Sequence, residues 1–133
     1  MSRLGFASSS VSITNSRPAA VAGSFYPAAP ESLSSSISTY LEDASLPRMS
    51  GIVRAIIAPH AGYIYSGTVA GYSFSALNGS IQAVHPLFLM GPAHYVPVSG
   101  VAVGRYQVLS TPLGELPVDT KIVEELLLDS AIF

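Results

Sequence analysis

Two apolar runs of this chain end in the same way, on a proline and a histidine. The first is VRAIIAPHAG, residues 53–62, and the second is PLFLMGPAHYVP, residues 86–97. Each is short and aliphatic and is stopped by Pro59 or by Gly91 and Pro92, the pattern of a strand buried on both faces. Between them the periodicity changes. Across residues 66–77, Val69, Tyr72, Ser73 and Leu77 line up at helical spacing, and Gly79 stands where such a helix would stop. Gly67 and Gly71 lower helix propensity and predict close packing of that helix on a sheet. Strand, helix and strand in this order make a βαβ unit, with a right-handed crossover and parallel strands. The expected fold class is α/β, a mainly parallel sheet with flanking helices.

Parallel strands end on one edge of their sheet. His60 follows the first run by two residues and His94 follows the second by four. Both are therefore expected on loops at the carboxyl edge, where open α/β sheets bind ligands. Strands about 4.8 Å apart would let two imidazoles share one ion through bonds of about 2 Å. Neutral imidazole suits iron, zinc or copper. A lone histidine near a strand end is more often a hydrogen-bonded structural residue. Two at matching ends of a βαβ unit point to a shared ligand. His85 precedes the second run, at the opposite edge, and reads as structural or exposed. Tyr63, Tyr65 and Tyr95 cluster beside the histidines; packing is their default role, and stacking on a substrate ring is the sharper one.

A third ligand is not evident. Glu115 and Asp119, in TPLGELPVD, are the acids that could reach the site, and each can equally serve a loop or a helix cap. The sequence holds no G-x-S-x-G elbow, no phosphate-binding loop and no dinucleotide fingerprint.

The remainder fills in around this unit. Residues 1–16, with three consecutive serines, have some flavour of a transit peptide but no amphipathic stripe, and read as a disordered tail. Residues 17–30, rich in Pro, Gly and Ala, read as an irregular arm or short strand. Leu33, Ile37, Tyr40 and Leu41 then form one apolar helical face. A third strand is expected over residues 101–108. Asp119 can cap a last helix whose apolar face is Ile122, Val123, Leu126 and Leu127, with Leu128 adding to the stripe.

Charge and cysteine narrow the function classes. Only 11% of residues are charged, against 49% hydrophobic, so the surface is poor in charge. Burial against a partner chain, self-association, or a missing portion of a larger domain would each account for that. The six basic residues are scattered and the net charge is −2, which leaves no footprint for nucleic acid or anionic membrane. The longest apolar stretch is broken by Gly and Pro and is no membrane span. The chain has no cysteine, hence no disulfide and no thiolate ligand of its own. A reducing, cytoplasmic location is the expectation.

Four segments in order carry a resemblance: RPAAVAGSFYPA (17–28), IIAPHAGYIYSGTVAGYSF (56–74), LMGPAHYVPVSGVAV (89–103) and TPLGELPVD (111–119). Together they resemble the Memo family, also called AmmeMemoRadiSam system protein B, which is related to class III extradiol ring-cleaving dioxygenases. The resemblance implies a LigB-like α/β fold, of which residues 17–133 would be the N-terminal part. It implies a metal held by His60 and His94, with Fe(II) as in the dioxygenases, or another divalent transition metal, or none in a vestigial site. The family's third ligand position, often a cysteine, comes from later in a longer chain. Phe25 and Tyr65 are implied to line the cleft. The implied occupant is a small aromatic substrate or a peptide, phosphotyrosine-type peptides having been linked to animal members.

Two function classes follow. One is an oxidoreductase resembling the non-haem Fe(II) ring-cleaving enzymes. The other is a non-catalytic peptide- or ligand-binding module that uses the same cleft.

Overall fold

The computed structural model describes residues 14–77 and 86–128. Within them lie three strands and three helices: β1 (Thr14–Arg17), α1 (Pro30–Glu42), α2 (Tyr63–Ser75), β2 (Tyr106–Thr111), β3 (Gly114–Pro117) and α3 (Thr120–Leu128). The class is α/β. The sheet, however, is mixed rather than mainly parallel, in the order β1-β2-β3. β1 runs parallel to β2, with Ser16 opposite Val108, and β3 runs antiparallel to β2, with Leu109 opposite Leu116.

The β2–β3 hairpin turns at TPLG, residues 111–114. Gly114 sits at φ +128°, a conformation that side-chain-bearing residues rarely adopt. The Thr111 hydroxyl accepts from the Leu113 N–H at 3.2 Å and donates to the Gly114 carbonyl at 2.9 Å, which closes the turn. The third strand thus lies at residues 106–111, not 101–108. Of the expected tail, residues 1–13 lie outside the described residues, and residues 14–16 join β1.

Asp119 caps α3 as its residue type allows. Its Oδ1 accepts from the backbone N–H of Lys121 at 3.1 Å and of Ile122 at 3.2 Å. Asp119→Ala should cost about 1 kcal/mol, read as a lower urea midpoint with an unchanged slope. Ile122, Val123, Leu126 and Leu127 are half-buried, while Leu128 is exposed and does not extend their stripe.

Among the described residues, the buried ones lie in the helical pair or at the cap of α2. On α1, Leu33 is buried and Ile37 and Tyr40 are half-buried, as expected, while Leu41, the fourth residue of that face, is exposed. On α2 the expected face holds only in part, Ser73 and Leu77 being half-buried. Val69 and Tyr72 are exposed, and the buried residues are Ser66, Gly67 and Gly71. The small residues turn inward because they admit α1 at short range, so the glycines pack against a helix and not against a sheet. A Cβ added at Gly67 would stand 2.5 Å from the Tyr40 ring, and one at Gly71 would collide with the Tyr40 carbonyl oxygen. Two bonds fasten the contact: Tyr40 Oη donates to the Tyr63 carbonyl at 3.3 Å, and Ser75 Oγ to the Leu41 carbonyl at 3.1 Å.

Residues 53–58 and 86–90, the two expected strands, are in no sheet. A strand is stable only when its backbone groups find a partner strand, and none of the described segments supplies one. Gly79 and His85 lie outside the described residues.

Candidate functional site

The site is built at the entry to α2. Gly62 occupies the N-cap, and the chain is held there from two sides. The Tyr63 N–H donates to the Phe25 carbonyl at 2.7 Å, so α2 begins three residues earlier than its periodicity predicts. The buried Ser66 hydroxyl donates to the Ala61 carbonyl at 3.0 Å. These two bonds fix residues 61–63, and so the loop that carries His60. The arm that supplies Phe25 is itself shaped by a tight turn. Gly23, at φ +83°, donates to the Tyr26 carbonyl at 2.7 Å, and the Phe25 N–H donates to the Val21 carbonyl at 2.9 Å.

His60 and His94 come together. Their Nε2 atoms are 3.1 Å apart and their ring centroids 5.2 Å, at 44° between planes. Both rings are exposed. The juxtaposition expected from topology is present, although the strands expected to produce it are not. The arrangement has two chemical uses. As neutral rings, one imidazole can donate Nε2–H to the other's lone pair. Alternatively, both lone pairs can face one cation. Bonds of about 2.0–2.1 Å to nitrogens that far apart would meet at roughly 95–100°, between the octahedral and tetrahedral angles. The donor pair therefore fits a divalent transition metal as two adjacent ligands. No group of three His, Cys, Asp or Glu suited to a metal occurs among the described residues. Glu115 lies on β3, where Ser110 Oγ donates to its Oε1 at 3.4 Å, and Asp119 caps α3. Neither carboxylate completes the histidine pair.

The aromatic residues divide. Phe25 and Tyr63 line a cavity of about 410 Å³ together with His60, between α1, α2 and the 21–26 turn. Tyr65 and Tyr95 do not line it and are 84% and 96% exposed. Tyr95 stands edge-on to His94, with centroids 6.4 Å apart. The sequence reading missed Tyr26 and Tyr40 as cavity residues. Periodicity marks Tyr40 only as part of a helix face, and Tyr26 follows Phe25 directly, so an aromatic pair in the arm is the available signal.

Tyr63 packs against Tyr26 at 5.6 Å and edge-on to Tyr40 at 6.0 Å. Burial first, then repulsion from Tyr26 and Tyr40, raises its phenol above the ordinary 10.0. The folded state thus holds this proton more tightly than the unfolded chain does. The resulting stability is complete below pH 10 and is lost as pH climbs through the folded value. Tyr63→Phe keeps the ring packing and removes the titration. Its stability should therefore fall less steeply than that of the parent above pH 10, in denaturant melts taken across the alkaline range.

Comparison with known proteins adds lineage to this geometry. The family model described as Memo-like protein matches residues 17–132. The protein memo-1 homolog of Caenorhabditis elegans is 43% identical over 112 residues, which is 84% of this chain and 31% of the relative. Protein MEMO1 of Danio rerio is 38% identical over 110 residues, 83% of this chain and 36% of the relative. The MEMO1 family protein MHO1 of Saccharomyces cerevisiae is 38% identical over 112 residues, 84% of this chain and 33% of the relative. The matched part of the chain spans about a third of the length of these curated relatives. No helix among the described residues is long and apolar enough to cross a membrane. With its motifs matched along nearly the whole length, the chain belongs to the Memo-like protein family.

Proposed function

We propose that this Memo-like chain carries part of a transition-metal site, with His60 and His94 as two of its ligands and the Phe25–Tyr63 cavity beside it as the seat of an aromatic ligand. The 3.1 Å separation of the Nε2 atoms carries the reading. Each ring must offer a lone pair at Nε2, so both bind as neutral imidazoles. Fe(II) is the metal that the likeness to ring-cleaving dioxygenases favours, and when bound it would supply the activation of oxygen that such chemistry needs.

The chain's own residues do the rest. Phe25 and Tyr63 offer ring faces and edges for a flat substrate, at the depth that a cavity of about 410 Å³ allows. Tyr63, kept neutral well into the alkaline range, can donate a hydrogen bond to an oxygen on that ring. Held by these two ligands alone the metal would bind weakly, and turnover is a separate property from binding.

Thermal unfolding under anaerobic conditions tests the assignment. Fe(II) at a hundred times its dissociation constant should stabilise the parent by about 2.7 kcal/mol, and His60→Ala and His94→Ala, bound tenfold or more weakly, by about 1.4 kcal/mol at most. An equal shift in all three would place the metal elsewhere.

A second reading rests on the absence of a third donor among the described residues. The cavity would then bind its aromatic ligand with no metal, as an interaction module. Catechol is a suitable probe. Binding that survives a chelator and His94→Ala, but not Phe25→Ala, favours the module; binding that disappears with the metal favours the site.

A further inference from the structure

Two hydroxyls of α2 hold the chain on either side of His60, and neither is hydrogen-bonded to a histidine. Ser66 and Ser73 stand seven residues apart, about two helical turns, so their side chains leave the same face of the helix. Ser66 Oγ donates to the Ala61 carbonyl at 3.0 Å, and Ser73 Oγ donates to the Ile57 carbonyl at 3.0 Å. The later serine takes the earlier carbonyl, so residues 57–61 run antiparallel to the helix. Slack in that segment is small. Seven residues of helix advance about 10.5 Å, and four residues of extended chain reach about 13 Å.

His60 sits between these two grips. Pro59 has no N–H to give, and among the described residues no backbone–backbone hydrogen bond reaches residue 59 or 60. Its imidazole nevertheless meets that of His94 with Nε2 atoms 3.1 Å apart. Ordering two exposed side chains costs conformational entropy, and a backbone fixed on both sides of the ring reduces that cost. The hydroxyls do nothing for the helix itself, since alanine is the better helix former at both positions. We propose that Ser66 and Ser73 are positioning residues for the histidine pair: together they strap residues 57–61 along α2 and hold His60 where one ion can be shared with His94. The strap serves the metal site proposed above and so builds on that reading of the two imidazoles. Ser66 also lines the cavity, whereas Ser73 does not and is half-buried. A change at Ser73 therefore alters neither a metal ligand nor a cavity wall.

Proton NMR of the metal-free 133-residue chain reads the strap without any ion. The rings of His60 and His94 have centroids 5.2 Å apart, so the parent should show a nuclear Overhauser peak between their ring protons. Ser73→Ala should lose that peak and keep the parent's circular dichroism, because alanine favours the helix. Ser73→Thr retains a hydroxyl and should restore the peak. Ser66→Ala and Ser66→Thr should behave in the same way. Fe(II) affinity, titrated anaerobically, should fall about tenfold in each alanine variant, the low end of the cost of losing a group that orients a ligand, and should return with threonine. A peak that persists at the parent's intensity in Ser73→Ala overturns the proposal, as does a loss that Ser73→Thr fails to restore. A parent chain without the peak overturns it too. If the peak responds as expected but no variant and no parent binds Fe(II), the strap stands and the metal reading falls, so the two failures are distinguishable.

Discussion

His60→Ala and His94→Ala are each expected to weaken Fe(II) binding by about tenfold or more. Loss of a group that merely orients a metal ligand already costs 10–100-fold, and these residues are proposed as the ligands themselves. The shared site makes a sharper claim than either variant alone. If both imidazoles hold one ion, removing the first leaves the second as a single exposed donor of little affinity. The double variant should then bind hardly more weakly than the singles, and the two effects should fail to add. Anaerobic titration of the four proteins reads this directly. Additive losses would mean two independent ions, one on each ring, which a 3.1 Å separation of Nε2 atoms does not accommodate.

Gly71→Ala should destabilise the fold by about 1–2 kcal/mol. Alanine is favoured over glycine inside a helix by about 1 kcal/mol, so an exposed site would gain. Here the new methyl group would meet the carbonyl oxygen of Tyr40, a backbone atom that cannot swing aside as a side chain can. Overpacking of this kind costs typically about 1–3 kcal/mol, and the rigid neighbour places it near the top of that range. At Gly67 the obstacle is the Tyr40 ring, which can rotate at the expense of its bond to the Tyr63 carbonyl. Gly67→Ala should therefore lose less than Gly71→Ala. Chemical denaturation of both variants gives the order. A more stable Gly71→Ala would show that α1 and α2 stand farther apart than described.

These same glycines show where sequence reasoning stopped. Periodicity located all three helices, because residues such as Leu33 and Ile37 repeat at the spacing that burial requires. It placed Ser73 and Leu77 on the covered side of α2 but misplaced Val69 and Tyr72, because the usual rule assigns large apolar residues to the inside. In this pair close approach decides, and Gly67 and Gly71 are inside while Val69 and Tyr72 are out. The sheet was harder to read. Residues 53–58 and 86–90 have strand composition, but composition does not provide a partner. β1 and β3 have little apolar signal of their own, and their pairing is set by the turn at Gly114 and by register with β2. The histidine pair was legible because it depended on one inference, that the two Pro-and-His loops meet. Phe25 was legible from family resemblance and Tyr63 from its place beside His60, whereas Tyr65, which the resemblance put in the cleft, does not line the cavity. Its position on α2 turns it outward, which only the helix phase could have revealed.

X-ray absorption at the iron edge of the Fe(II)-loaded chain, prepared without oxygen, measures the coordination itself. Two imidazole nitrogens per iron in the parent protein, and none in the His60→Ala/His94→Ala double variant, is the predicted result. An iron environment with the same imidazole count in both proteins would contradict it.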